Sequence, residues 1–564
     1  MQFDEITIII IYMETNLISP STLWANYDAD AVKLRSNFIK YDTSENGIVD
    51  FEVYLSCEEE DKSTSLTYCY GKIPKDNYKN ATLIYISGFK SDLSNEVFDN
   101  FLPKGYAVVC FDYKGKTDDK SKHTIYPDSL SYANLAFSAR HLDGFVKSPK
   151  DSCVFIWSKM CRNVITFVKK LLGEDNKIYL RSSLEGGNIL WQVAGMDKRV
   201  EGVIAANNAG WEESRGLFRF SESPDEFNFS EEKIKWMSAC APQSYAKFVE
   251  CPVLFVSGTN SSLTSIDRVE KTFSLTKNNG DNLACLCSNL FNTMNARAKT
   301  CLTIWLDKVY YNQPRPKAPT AAFEIIDGQL CVKMDYDASI EIEKIEVHYC
   351  YNEINSELRH WNKNILSSAN PITQIPVRLG DTQVFAYASV HYKDGQFYSS
   401  LPIMFRLDGV DIERVASKRS HIVYERKDGL DAWVVDNNNG EYFMPELKAG
   451  AFDIVGVTAE KGNLATYKIS DKIYEQSENS IFQFDCYSEK NRSLFVEVCV
   501  EVAMFKYEYY RVEARLSGDE WQKIALSHND FKTAERVPLK DWKKVKKLSF
   551  LNIDGTLISN IIWV

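Results

Sequence analysis

At 564 residues the chain has room for about three to five domains, each with its own core. With 45% hydrophobic and 25% charged residues it is ordinary folded protein, neither disordered nor fibrous. The net charge of −11 excludes a typical nucleic-acid binder, because neutralising phosphates takes clustered Lys and Arg.

The opening stretch "MQFDEITIIIIYMETN" puts Asp4 and Glu5 where a signal peptide carries positive charge, and it predicts a strand. No other run approaches the ~20 apolar residues of a membrane span, so no membrane partner and a cytoplasmic location are expected. Residues 24–315 alternate strand and helix signals. "ATLIYISGF" (81–89) and "YAVVCFDYKG" (106–115) are nearly continuous apolar runs, the mark of strands buried on both faces. "WSKMCRNVITFVKKLLGEDN" (157–176) has apolar residues at helical spacing. A strand, "KIYL", then leads through a turn into the helix "GNILWQVAGMD". Strands "VEGVIAANNAG" (200–210) and "CPVLFVSG" (251–258) follow, and "NARAKTCLTIWLDKVYY" (295–311) predicts a last helix. This order predicts a doubly wound, mostly parallel α/β sheet.

"NQPRPKAP" (312–319) carries three prolines and reads as a linker. Beyond it come short alternating strands with Asp-Gly turns, which predict two all-β sandwich domains. The predicted division is an N-terminal extension (1–23), an α/β domain (24–315), an Ig- or fibronectin-like sandwich (316–410) and a jelly-roll-like sandwich (411–564). The basic run "LKDWKKVKKL" (539–548) reads as a solvated face. Fourteen scattered cysteines, with Cys285 and Cys287 as a lone C-x-C, lack zinc-type spacing. Buried reduced thiols, no metal and no cofactor are expected.

The segment "KIYLRSSLEGGNILW" (177–191) has the strand–turn–helix form that presents a serine nucleophile. The turn is so sharp that residues two before and two after its apex must be small. Around Ser182 those flanks are Leu180 and Leu184, and around Ser183 they are Arg181 and Glu185, all too large. Around Leu184 they are Ser182 and Gly186, so the apex falls on a residue without a nucleophilic atom. A hydrolase of this kind orders its triad Ser, then Asp or Glu, then His. The seven histidines are 123, 141, 348, 360, 391, 421 and 528, so none lies between 142 and 347, where the base belongs.

"TIYPDSLSYAN", "GGNILWQVAGMDKRVEGVIAANNAGW" and "CPVLFVSGTNSSLTSIDR" resemble the acetyl xylan esterase and prolyl-oligopeptidase-like branch of the α/β-hydrolases, over about residues 24–315. The resemblance implies an elbow G-x-S-x-G-G on residues 182–187, which places the nucleophile position at Leu184, the acid at Ser261 and the base at Asn292. It also implies oxyanion donors on the backbone of Gly88 or Phe89 and of Glu185. Asp112 and Arg162 read as structural contacts, and "TIYPDSLSYAN" as either a cleft lining or edge packing. The C-terminal strands resemble carbohydrate-binding jelly rolls, with Trp521 and Trp542 as candidate sugar-stacking residues beside Tyr507, Tyr509 and Tyr510.

Two functions follow. One is a catalytically degenerate hydrolase homologue that binds a glycan, an acylated carbohydrate or a protein partner. The other is an active esterase or serine peptidase with a rearranged site, using Ser183 or Ser182 and His123 or His141 from upstream.

Overall fold

The computed structural model describes residues 17–59, 61–89, 95–117, 122–137, 142, 144–210, 230–368, 370–436, 443–503 and 506–564. The strand expected at the very start, and His141, lie outside them.

Runs that are apolar on every residue become the inner strands of one nine-stranded sheet. Its strands are β1 (Arg35–Thr43), β2 (Ile48–Glu58), β3 (Thr64–Pro74), β4 (Ala81–Ile86), β5 (Ala107–Phe111), β6 (Lys177–Ser183), β7 (Val200–Ala206), β8 (Val253–Gly258) and β9 (Leu283–Cys287). Their order is β1-β2-β3-β5-β4-β6-β7-β8-β9, and β5 through β9 are parallel. Every residue of β4 and β5 is buried, as parallel strands covered on both faces require. β1, β2 and β3 are antiparallel, and β2 and β3 alternate buried with half-buried residues, the pattern of a sheet with one core face. The alternation of strand and helix signals does not mark these three strands or β9, which contains the C-x-C.

Helices α1 (Asn95–Phe101), α2 (Cys153–Leu172), α3 (Gly186–Met196) and α4 (Ala296–Tyr310) cover the sheet. Ile84, Ile86 and Val109 share a core with Val164 and Ile165 of α2 and Leu190 of α3. On the opposite face Leu83, Tyr85 and Tyr179 pack with Phe101 of α1 and with Leu302 and Trp305 of α4. α2 starts before Trp157 because the Ser152 hydroxyl caps it, accepting the Phe155 N–H at 3.3 Å. It stops at Gly173, whose φ of +108° suits glycine. All fourteen cysteines are buried and free.

Beyond the linker, strands β10 (Thr320–Ile326), β11 (Gln329–Asp335) and β14 (Ile372–Gln374) form one antiparallel sheet. Strands β12 (Ile342–Tyr351), β13 (Asn362–Leu366), β15 (Gln383–Tyr392), β16 (Phe397–Ser399) and β17 (Ile403–Arg406) form a second. Leu330 and Val332 of the first sheet meet Val347 and Val384 of the second in a core continuous with the α4 side of the α/β sheet. The middle unit is therefore fused to the first through a shared core.

The strands between Ile422 and Trp563 form two more antiparallel sheets, which face each other, with the Phe484 and Phe550 rings 5.1 Å apart. The basic run 539–548 is only partly a solvated face. Lys543 and Lys544 are exposed, but Leu539, Trp542 and Val545 are buried. Lys546 reaches Glu353 at 2.7 Å and Lys547 reaches Asp436 at 2.5 Å. Those two cations are structural ties, and one of them joins the last unit to the middle one. No helix among the described residues is long and apolar enough to cross a membrane.

Candidate functional site

The carboxyl ends of β4, β6, β8 and β9 bring the predicted positions to one end of the sheet. Between β6 and α3 the chain turns at Leu184, which has φ +52° and is 3% exposed. A branched residue in the left-handed region carries strain of about 1–3 kcal/mol and persists only where its surroundings hold it. The Leu184 N–H donates to the Ala206 carbonyl at 3.0 Å. Its carbonyl accepts the Gly187 N–H at 3.0 Å and the Asn208 amide at 3.1 Å. The two glycines are demanded by space. A Cβ on Gly186 would stand 2.5 Å from the Ile86 carbonyl oxygen, and one on Gly187 would stand 2.2 Å from Asn208 Cγ.

Neither serine occupies the apex. Ser182 is fully buried, and its hydroxyl has no partner. Ser183, half-buried, bonds the Tyr85 hydroxyl at 3.0 Å and accepts the Gly88 N–H at 3.1 Å. Burial raises the Tyr85 hydroxyl above its ordinary range, so it stays protonated at neutral pH and is no base for Ser183.

The two candidate oxyanion donors at the end of β4 are already engaged. Gly88 donates to Ser183, and Phe89 donates its N–H to the Glu185 carboxylate at 3.1 Å. The protein's own side chains thus fill the two backbone donors at the end of β4. Glu185 itself begins α3 with helical φ and ψ.

Ser261 and Asn292 are brought together. The Ser261 hydroxyl donates to Asn292 Oδ1 at 2.6 Å, and the Asn292 amide donates to Ser262 at 3.2 Å. Asn207 ties this pair to β7 by donating to the Asn292 carbonyl at 3.2 Å. A hydroxyl bonded to a carboxamide keeps the connectivity of a proton relay, but neither group titrates near neutral pH. His123 is half-buried and makes no hydrogen bond to Ser183, whose partners are Tyr85 and Gly88. The remaining histidines of the described residues belong to the β units.

Pattern reading missed what grips these loops. After β8, the Asn260 amide donates to the carbonyls of Glu357 and Arg359 at 2.9 and 2.7 Å. Asp267 receives a two-bond clamp from Arg359, 2.8 Å on each oxygen, with both side chains at most 1% exposed. Arg359 also donates to the carbonyls of Glu353 and Ile354 and lies 4.0 Å from the Phe385 ring. After β9, Asn289 exchanges hydrogen bonds with the backbone of Trp361 and donates to the Asp431 carbonyl at 2.8 Å. Three units of the chain thus meet on the two loops that carry Ser261 and Asn292. No local signal marks this lock, because Asp267 and Arg359 are 92 positions apart.

His360 sits within the gripping segment. Burial, reinforced by the Lys468 charge, pushes its imidazole down to about 4. The unfolded chain takes up a proton near pH 6.5, whereas the folded one stays neutral until about pH 4. The stabilising difference is present in full above pH 6.5 and is lost as the pH falls through that interval. Urea unfolding at pH 7.5 and pH 4.5 is expected to show about 2 kcal/mol more acid sensitivity in the wild type than in His360→Gln.

Asp112 and Arg162 are structural. Asp112 accepts the N–H groups of Lys114, Gly115 and Thr124, and Arg162 bonds Asp197 at 3.2 Å. "TIYPDSLSYAN" both packs and lines: Ile125 bridges Leu66, while Ser129, Leu130 and Tyr132 line a cleft of about 360 Å³ with Tyr27, Asp61 and Lys159. That cleft does not include Leu184, Ser183, Ser261 or Asn292.

Of the candidate sugar-stacking residues, Trp542 is corrected to core. It is 3% exposed, packs edge-on or tilted among Phe482, Phe531 and Trp563, and donates its indole N–H to the Ser480 carbonyl at 2.8 Å. Trp521 is half-buried, with its N–H on the Ala451 carbonyl at 3.0 Å. Tyr510 is buried and Tyr507 half-buried, while Tyr509 remains 53% exposed.

No protein-family model and no curated protein sequence matches the chain. Among solved structures, acetyl xylan esterase 1 from Thermoanaerobacterium sp. JW/SL YS485 is similar at 13% identity and a TM-score of 0.37, over 54% of this chain and 98% of that one. An acetyl xylan esterase from Paenibacillus sp. R4 is similar at 14% identity and 0.39, over 52% and 96%. Est1E from Butyrivibrio proteoclasticus, bound to ferulic acid, is similar at 15% identity and 0.32, over 46% and 98%. The strand order gives residues 35–310 a mixed, mostly parallel α/β sheet covered by helices and followed by antiparallel β sheets, with a positive-φ strand-to-helix turn between β6 and α3.

Proposed function

We propose that this chain is a catalytically degenerate, esterase-like α/β-hydrolase homologue that acts by binding a glycan or a protein partner. The observation that carries the reading is the side chain at the strained turn: Leu184 has no atom that can attack a carbonyl. The Ser261–Asn292 pair adds to it, since a hydroxyl and an amide supply no general base where acid and imidazole would work. The filled donors at Gly88 and Phe89 point the same way, because a developing oxyanion would have to displace Ser183 and Glu185. A sheet end gripped by two β units suits a binding scaffold better than a site that must admit and release substrate.

Ser183 is the one residue that keeps a second reading alive, as a hydroxyl beside a backbone N–H at the elbow. Turnover of short acyl esters separates the two. The wild type and Ser183→Ala are expected to share one rate, that of buffer with inert protein. Turnover that survives repurification and falls at least about tenfold in Ser183→Ala would establish the hydrolase instead.

A further inference from the structure

One face of the elbow strand carries a buried cation without an anionic partner among the described residues. Arg181 is 4% exposed, and its Nε and Nη1 have no hydrogen-bond partner. Its surroundings are aromatic: the guanidinium carbon lies 5.6 Å from the centre of the Tyr85 ring and 5.7 Å from that of Phe101. Several other cations with little exposure hold carboxylates instead. Arg359 holds Asp267, Arg162 and Arg199 share Asp197, and Lys547 holds Asp436. A guanidinium stays charged at every pH a protein survives, and two ring faces offset only part of the cost of burying that charge.

Asn100 precedes Phe101 in α1, and its amide nitrogen is buried without a partner. Two residues along β6 from Arg181, and so on the same face of the strand, Ser183 is bonded to Tyr85. The cationic N–H groups of Arg181 and the hydroxyls of Tyr85 and Ser183 thus lie together behind the elbow, with no carboxylate among their hydrogen-bond or ion-pair partners in the described residues.

We propose that Arg181 is the recognition element of a binding site for a small monocarboxylate, of formate to acetate size, between β6 and α1. The class follows from charge and shape. One guanidinium neutralises one negative charge, so a dianion such as phosphate would bring a second charge that nothing offsets. A carboxylate matches the planar N–H edges of arginine and can take a further N–H on its other oxygen. The 4% exposure of Arg181 and the rings that flank it exclude a bulky ligand. Binding would steady β6 and, through Ser183 and its bond to Gly88, the turn at Leu184.

The test is thermal unfolding of the full chain at fixed pH and ionic strength, with acetate replacing a bulky sulfonate anion. The wild-type midpoint is expected to rise saturably, by roughly 5 °C at a hundredfold excess over Kd, and that of Arg181→Met to stay flat. A flat wild-type response up to tens of millimolar acetate, or an equal rise in Arg181→Met, would overturn the proposal. If Arg181→Met does not fold, saturation transfer from the protein to acetate is measured on the wild type with Arg181→Lys as comparator. Saturable transfer weakened at least about tenfold in Arg181→Lys supports the site, and no transfer, or transfer unchanged by the substitution, overturns it.

Discussion

Arg359→Ala is expected to cost about 3–5 kcal/mol of stability, the price of an uncompensated charge in the interior. The substitution removes both hydrogen bonds to Asp267 and leaves its carboxylate, 1% exposed, without the cation that justifies its burial. It also frees the carbonyls of Glu353 and Ile354, and it opens space over the Phe385 ring. Because the clamp joins the loop after β8 to the middle sandwich, the loss is regional. Guanidinium unfolding followed by tryptophan fluorescence and by far-ultraviolet circular dichroism is expected to show transitions that separate in the variant. Replacing both partners with apolar residues of similar volume, Arg359→Met with Asp267→Leu, is expected to recover most of the loss, since no charge is then stranded. A single variant as stable as the wild type would mean that the lock holds nothing.

Gly186→Ala is expected to cost about 3 kcal/mol or more, at the upper end of overpacking effects. The added methyl would stand 2.5 and 2.6 Å from the carbonyl oxygens of Ile86 and Ser87, which are backbone atoms at the end of β4 and cannot swing aside. Relief requires β4 and the start of α3 to part, which breaks the contacts of Gly88 and Phe89 with Ser183 and Glu185. Gly280→Ala serves as the control, because nothing lies within 4 Å of the methyl it adds. A soluble Gly186→Ala protein with the midpoint of Gly280→Ala would contradict the close approach on which the elbow depends.

The central sheet was legible because strands buried on both faces leave an unbroken apolar run, as β4 and β5 do, and helices leave their own period, as α2 does. The turn was legible because small residues at 186 and 187 are forced by backbone and Asn208, and both neighbours are local or one strand away. Partners at long range were not. Nothing in "SELRHW" says that Arg359 crosses to Asp267, and nothing in "KKVKKL" separates Lys546 and Lys547, which are paired, from Lys543 and Lys544, which are exposed. Trp542 was open for the same reason: an aromatic in a β unit is more often core than surface, and only the opposing sheet decides it. The donors at Gly88 and Phe89 were recognisable as strand-end amides, but their occupation by Ser183 and Glu185 depends on side-chain reach across two strands.

Active-site labelling tests the loss of chemistry most directly. A fluorophosphonate probe reacts with a serine hydroxyl that a neighbouring base has activated, and it ignores an unactivated one. Incubated with the full chain at neutral pH, it is expected to leave the intact mass unchanged, with no stoichiometric adduct on Ser182, Ser183 or Ser261. One equivalent of label on the wild type, abolished by Ser183→Ala, would contradict the account and make Ser183 a working nucleophile.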